Sequence, residues 1–255
     1  MKSKKTNVPE DGMTTLIELL KKITIRNKEH FTSYNKTDWN YLITHTKEYK
    51  RFDKIKLSAV NENTLSSIFD RRKSQRQFSS KYKVDIETLG QIFANIKDKG
   101  IEGYPKKSFP SAGALYPSNT YCLVNRGLDI SKGLYYYNPK TNELEILVDK
   151  DLQDEINEIV CDNQIGAASV FFVLTNSYFK SCLKYGARGF LYSMIEIGAL
   201  AQIINLSCIQ NDLECVWVGG FVDTLLAELL DINSDLEIER PVLIIAAGKS
   251  KKTNK

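Results

Sequence analysis

Residues 184–211 read KYGARGFLYSMIEIGALAQIINLSCIQN, the longest stretch of helical periodicity in the chain. Apolar residues run from Phe190 to Ile209 and cover much of the helix circumference instead of one stripe. A helix with so little polar surface is expected in a protein interior. The stretch therefore predicts a central helix, which is also a candidate oligomer contact.

Strand-like and helical segments lie on both sides of this helix. Short β-rich runs predict strands at 120–124, 134–137, 144–148, 168–175, 216–218 and 242–246, the second and third forming a hairpin. Amphipathic spacing predicts helices at 14–23, from 64 onward, at 86–96 and at 224–230. This mixed order indicates an α+β fold, with one domain at 61–250 and an N-terminal extension or arm at 1–60.

The overall composition is that of an ordinary globular chain. Its 255 residues are 42% hydrophobic and 26% charged, with 35 basic and 31 acidic side chains. A surplus of +4 is too small for a dedicated nucleic-acid surface, which needs many phosphate-neutralising cations. No segment resembles a secretory signal, and Glu196 and Gln202 interrupt the longest apolar run, so we expect a cytoplasmic protein without a membrane span.

Cysteine and histidine usage excludes several common chemistries. The five cysteines are odd in number and form no CxxC pair, and there are only two histidines, His30 and His45. This pattern argues against a disulfide framework, a metal site and a histidine-centred catalytic triad.

A basic cluster is the first candidate site. Arg72, Lys73 and Arg76 surround Ser74 near a predicted helix end. Guanidinium, ammonium and hydroxyl groups together suit a phosphate monoester. A solvated basic face is the competing interpretation, because most charge runs have no ligand.

Two glycine-containing segments could approach a flat ligand. Residues 110–117 read PSAGALYP, in which small residues permit close backbone approach and Ser111 can hydrogen-bond to a polar ring. Gly219 and Gly220 follow a predicted strand and offer backbone amides, although paired glycines at a strand end more often form only a turn. An ordinary loop is the alternative interpretation of 110–117, but it explains that segment less well. The chain has neither a P-loop nor a GxGxxG motif.

Lys184 and Tyr185 are the candidate acid–base pair. A buried amine and phenol could move a proton, whereas an exposed pair would be surface decoration. Glu196 is either the buried partner of a cation or part of an exposed stripe of the long helix.

Together these segments resemble the flavin-dependent SagB-type dehydrogenases of the nitroreductase superfamily. The resemblance extends from about residue 41 to residue 248, and His45-Thr-Lys47 is similar to that family's N-terminal arm. The matching segments, in order, are 72–78 (RKSQRQF), 110–117 (PSAGALYP), 184–188 (KYGAR), 196–202 (EIGALAQ), 219–223 (GGFVD) and 239–248 (ERPVLIIAAG).

The resemblance implies a mainly antiparallel sheet flanked by helices, in an intertwined homodimer that binds FMN at its interface. It assigns Arg72, Lys73, Ser74, Arg76 and Lys249 to the FMN phosphate and ribityl chain, Pro110, Ser111 and Ala112 to contacts from the other subunit, and Gln164, Val218, Gly219 and Gly220 to the flavin ring. Lys184 and Tyr185 match the family's catalytic pair.

The implied activity is oxidation of thiazoline or oxazoline rings to thiazole or oxazole in a ribosomally synthesised peptide, alongside a cyclodehydratase complex. Two alternatives stay open. One is an NAD(P)H-dependent nitroreductase or quinone reductase acting on a small molecule. The other is a non-catalytic scaffold subunit of a peptide-modifying complex.

Overall fold

A six-stranded sheet forms the centre of the computed structural model, which describes residues 10–23, 51, 53–57, 63–101, 103–232 and 239–251. The strands are β1 (Ser118–Val124), β2 (Gly133–Asn138), β3 (Glu143–Val148), β4 (Val170–Asn176), β5 (Glu214–Val218) and β6 (Arg240–Gly248). Their order is β3-β2-β1-β4-β6-β5, and every neighbouring pair is antiparallel. This confirms the predicted α+β fold with an antiparallel sheet. Most of the predicted arm, including His30 and His45, lies outside the described residues.

Eight α-helices are described. They are α1 (Glu10–Ile23), α2 (Thr64–Arg71), α3 (Ile86–Ala94), α4 (Gln153–Val160), α5 (Asn163–Gly166), α6 (Tyr178–Tyr185), α7 (Arg188–Gln210) and α8 (Asp223–Leu229). Side-chain caps fix two starts that periodicity predicted: Asn63 makes a capping box with Ser66 before α2, and Asp85 accepts from the Thr88 amide before α3.

The prediction of one helix over 184–211 was wrong at its start. Tyr185 ends α6, and Gly186 then adopts φ +60°, a conformation that side-chain-bearing residues rarely adopt. Two residues later α7 begins, and a Cβ on Gly189 would lie 2.4 Å from the Ser181 carbonyl oxygen. Glycines therefore permit both the turn and the close packing of α7 on α6, and Lys184 and Tyr185 occupy the last turn of α6.

Helices cover both faces of the sheet. On one face α3 and α7 pack through Ile92, Phe93, Leu200, Ala201 and Ile204. On the other face α4 and α8 contribute Ile156, Ile159 and Leu226. Every residue of β4 is buried, as its unbroken apolar run predicts for a central strand.

Among the described residues, α7 is the one helix whose length and hydropathy would suffice for a bilayer crossing. It lies across the sheet, and 44% of its most apolar window is buried inside the protein. Core helices commonly meet the same criteria, so this helix is weak evidence for a membrane span.

Candidate functional site

The basic cluster lies along the β5 edge of the sheet. Ser74 forms a parallel bridge with Cys215, and the Gln75 amide donates to the Cys215 carbonyl at 3.0 Å. The backbone is thus fixed, while the side chains of Arg72, Lys73, Ser74 and Arg76 are exposed. Within the described part of the chain, the guanidinium groups of Arg72 and Arg76 have no hydrogen-bonding or ionic partner, so their donors are free for an anion.

Glu214, which the sequence analysis did not identify, pairs with Lys73 in this cluster. The Lys73 Nζ lies 2.6 Å from Glu214 Oε1, and Oε2 accepts from the Ser250 amide at 2.8 Å. Burial alone would raise the pKa of Glu214, but hydrogen bonds from Lys73, Ser250 and Gln75 outweigh it and lower the pKa to about 2. The carboxylate therefore offsets the Lys73 charge, and Arg72 and Arg76 are the unpaired cations of the cluster.

A cleft of about 890 Å³ brings together two residues that the resemblance singled out, Gln164 and Lys249. Lys249 lies 5.6 Å from the Tyr82 ring centroid, and its ammonium donates to the Asp212 carbonyl. Lys251 lines the same cleft and its backbone amide donates to the Gln77 carbonyl at 3.0 Å. Lysine and glutamine side chains therefore line part of the cleft, which is continuous with the end of the basic segment.

The PSAGALYP loop, residues 110–117, has an unusual backbone. Gly113 has φ +64°, and Ala114 and Tyr116 also have positive φ values of 53° and 44°. Two hydrogen bonds hold the turn: the Ala114 amide donates to the Ser111 carbonyl at 3.1 Å, and the Tyr116 amide donates to Ser111 Oγ at 2.9 Å. The loop thus holds conformations that are costly for residues other than glycine.

The predicted acid–base pair lies directly against this loop. A Cβ on Gly113 would lie 2.5 Å from Lys184 Nζ and 2.5 Å from Tyr185 OH. The Lys184 ammonium is 5.5 Å from the Tyr185 ring centroid, and this ring meets Tyr192 edge-on at 5.2 Å. The structure therefore brings an exposed primary amine and a half-buried phenol to one point on the loop surface.

Glu196 is buried, which decides between its two interpretations. Its side chain is 2% exposed, and Oε1 accepts from the Ser118 amide at 3.2 Å and from Ser118 Oγ at 2.6 Å. Burial raises its pKa, and the hydrogen bonds of Ser111 and Ser118 and the charge of Lys107 oppose that rise. Lys107, a half-buried cation beside the loop, gave no sequence signal because its neighbours come together only in the fold.

The candidate residues form two groups within one chain. Lys184, Tyr185 and the loop lie at the start of α7, whereas the basic cluster contacts Glu214 and Cys215 at the start of β5, past the end of α7. A helix of 23 residues is about 35 Å long. Val218, the last residue of the edge strand β5, pairs with Ile244, and Gly219 next to it faces open space. One chain therefore does not gather all the predicted residues around one ligand.

Two curated proteins are similar to the chain. It is 28% identical over 196 residues to a provisionally named nitroreductase, MJ1384, of Methanocaldococcus jannaschii, covering 76% of this chain and 96% of that protein. It is 24% identical over 185 residues to the microcin B17-processing protein McbC of Escherichia coli, covering 69% of this chain and 68% of McbC.

Solved structures and a family model place the fold. The E. coli microcin synthetase McbBCD complex with truncated pro-MccB17 bound contains a chain that matches with a TM-score of 0.73 at 21% identity, over 96% of this chain and 94% of that one. A nitroreductase-like structure from Anabaena variabilis matches with a TM-score of 0.62 at 23% identity, over 73% of this chain and 38% of that longer one. The nitroreductase family model matches residues 70–249, which include both groups of candidate residues. The chain therefore belongs to the nitroreductase family.

Proposed function

We propose that the chain is an FMN-dependent dehydrogenase that oxidises thiazoline or oxazoline rings of a ribosomally synthesised peptide. The observation that carries this proposal is the position of Lys184 Nζ and Tyr185 OH, both close to Gly113 of the PSAGALYP loop. This pair and this loop are the segments that match the SagB-type branch. Similarity to McbC, a microcin B17-processing protein, supports a peptide substrate.

The donor set fits FMN. Arg72, Ser74 and Arg76 offer unpaired guanidinium groups and a hydroxyl for the phosphate, on a backbone fixed to β5. A planar ring system has room beside Gly219, where a Cβ would meet nothing within 4 Å. A flavin held there would supply the hydride acceptor.

A homodimer would complete the site, because one chain holds its two groups at opposite ends of α7. The outward face of α7 carries Leu191 and Ile195, which are 48% and 58% exposed, and α2 exposes Leu65 and Phe69. Exposed apolar side chains on neighbouring helices suit a second copy of the chain. In this arrangement Arg72 and Arg76 of one chain hold the phosphate, while the partner's loop and catalytic pair face the ring.

The chain's own residues would supply acid–base chemistry and orientation. Converting an azoline to an azole removes one hydride and one proton from adjacent ring atoms. Lys184 or Tyr185 would accept the proton, and the other residue would hold the ring by a hydrogen bond. Molecular oxygen is the proposed final electron acceptor.

The test uses full-length protein, FMN and an azoline-bearing peptide, with mass spectrometry as the readout. The parent should form yellow protein and remove two hydrogen atoms per ring, whereas Lys184→Ala and Tyr185→Phe should be strongly impaired. Lys180→Ala, one turn earlier on α6 and also exposed, is the matched control and should retain activity. Colourless protein that cannot bind FMN would overturn the proposal. If both variants stayed fully active, catalysis by the pair would be wrong, and if the parent bound FMN but did not oxidise the peptide, the scaffold alternative would gain support.

A second candidate function is reduction of a nitroaromatic or quinone with NAD(P)H. The similarity to MJ1384, which covers 96% of that protein, favours this candidate. Rapid pyridine-nucleotide consumption that Lys184→Ala and Tyr185→Phe leave unchanged would support it over azoline oxidation.

We also propose that the chain acts with a cyclodehydratase complex. McbC-like structure occurs in the McbBCD synthetase bound to a precursor peptide, which supports such a setting. Co-purification with a cyclodehydratase encoded nearby would support the partnership, and separate elution at micromolar concentrations would contradict it.

A further inference from the structure

We infer that Glu196 is a positioning residue. It holds the PSAGALYP loop in place and, through that loop, fixes the position of the Lys184–Tyr185 pair. The inference deepens the proposed function and rests on it only where activity is measured. Glu196 lies on α7, in the half of this helix that is nearer the pair.

One buried carboxylate lies close to both ends of the loop. Ser118, at the C-terminal end, donates its amide and its hydroxyl to Glu196 Oε1, at 3.2 Å and 2.6 Å. Ser111, at the N-terminal end, has its hydroxyl close enough to the same carboxylate to oppose the rise of its pKa. The Ser118 hydroxyl also accepts from Asn176 Nδ2 at 3.0 Å, which joins this network to the end of β4.

The loop needs such an anchor because its backbone is strained. Ala114 and Tyr116 hold positive φ angles without being glycine, and conformations of this kind persist only where the surroundings enforce them. The Tyr116 amide donates to Ser111 Oγ at 2.9 Å, and the Ser111 side chain lies beside Glu196. Loss of the carboxylate would therefore free the turn that places Gly113 against the pair.

A cation and an aromatic ring complete the support. The Lys107 ammonium, whose pKa burial lowers, lies 5.1 Å from the Tyr116 ring centroid, and the Lys107 amide donates to Tyr116 OH at 3.2 Å. Its charge attracts the Glu196 carboxylate. The buried carboxylate thus has two donors from Ser118 and a cation nearby, as buried charges require.

The decisive experiment measures amide hydrogen exchange in the full-length protein. Glu196→Met keeps the side-chain length but removes the acceptor, and should speed exchange of the Ala114 and Tyr116 amides about tenfold or more, the scale of a lost hydrogen bond to a charged group. Glu196→Gln keeps one acceptor oxygen and should restore most of the protection. Glu228→Met, an exposed glutamate of α8, is the control and should leave both amides unchanged.

Activity gives the second readout. With the azoline peptide, Glu196→Met should lower kcat while leaving KM within about threefold, because the loop orients the pair instead of binding the remote parts of the peptide. Glu196→Gln should recover much of the lost kcat. A purely structural role would instead lower the stability of the whole chain and leave kcat of the folded fraction intact.

The two proposals can fail separately. If neither the parent nor any variant oxidises the peptide but loop exchange responds as expected, the proposal of azoline oxidation is wrong and the positioning role of Glu196 stands. If Glu196→Met does not fold, Ser118→Ala removes one of the bonds without removing the buried carboxylate and should still speed Tyr116 exchange. Parental loop exchange and parental kcat in folded Glu196→Met, or in Ser118→Ala where Glu196→Met does not fold, would overturn the inference.

Discussion

Gly113→Ala tests the contact between the loop and the catalytic pair. The new methyl group would lie 2.5 Å from both Lys184 Nζ and Tyr185 OH, closer than any non-bonded approach. Both atoms are the ends of side chains, so the fold can move them aside at little cost. The substitution therefore displaces the pair more than it disturbs the fold.

The magnitudes separate these two effects. The left-handed φ of +64° at Gly113 costs a non-glycine residue about 1–2 kcal/mol, which is the expected loss in the free energy of unfolding. Displacing an acid–base pair by about 1 Å costs on the order of a hundredfold in rate. We therefore expect a modest loss of stability together with a loss of azoline oxidation of about a hundredfold.

Urea unfolding at fixed protein concentration and single-turnover oxidation of the peptide provide the two measurements. Gly103→Ala is the matched control, because Gly103 has φ +78° but a Cβ there would meet nothing within 4 Å. It should lose similar stability and keep its activity. Folded Gly113→Ala that oxidises the peptide at the parental rate would refute the proposed geometry of the pair.

Three other predictions test charge, cofactor affinity and assembly. Folding lowers the pKa of Glu214 from 4.5 to about 2, so its carboxylate stabilises the fold above pH 4.5, and this stabilisation is lost as the pH falls towards 2. Glu214→Gln should therefore destabilise the protein at pH 7 but not near pH 2. An equal loss of stability at both pH values would contradict the pairing with Lys73. In the proposed FMN site, Arg76→Ala should lower affinity about tenfold to a hundredfold by flavin fluorescence, whereas Arg71→Ala, whose guanidinium is bound to Asp212 at 2.8 Å, should not. The double variant Leu191→Lys, Ile195→Lys should sediment as a monomer and release FMN, whereas Leu128→Lys, in an exposed turn, should leave assembly intact. Unchanged sedimentation of the double variant would exclude this face as the interface.

Sequence patterns predicted most of the sheet because its signals are local. The run that forms β4 is almost entirely apolar, and turn residues separate β2 from β3. The hydrophobic pattern and the turn residues therefore sufficed to predict these strands. They failed for α4, whose two turns carry only Ile156, Ile159 and Val160 among polar residues, a face that tertiary packing stabilises. The same patterns predicted one helix where α6 and α7 are separate, because the spacing of apolar residues does not reveal the turn at Gly186.

The candidate site divides in the same way. The basic cluster and the PSAGALYP loop are continuous in sequence and could be singled out as candidate ligand-binding segments. The ion pair of Lys73 with Glu214 and the hydrogen bonds of Ser118 with Glu196 join residues that are distant along the chain. Residue identity predicted a carboxylate in α7 but not its donors, since burial and partners are properties of the folded chain.

In the proposed homodimer, the length of α7 makes the two halves of each site genetically separable. A chain lacking Arg76 would still present a sound Lys184–Tyr185 pair, and a chain lacking that pair would still present a sound phosphate cluster. Co-expressing the two defective chains would then produce mixed dimers in which one site receives both defects and the other receives none. Two variants that are each defective alone would then regain activity together, whereas an enzyme whose site lies within one chain would remain inactive.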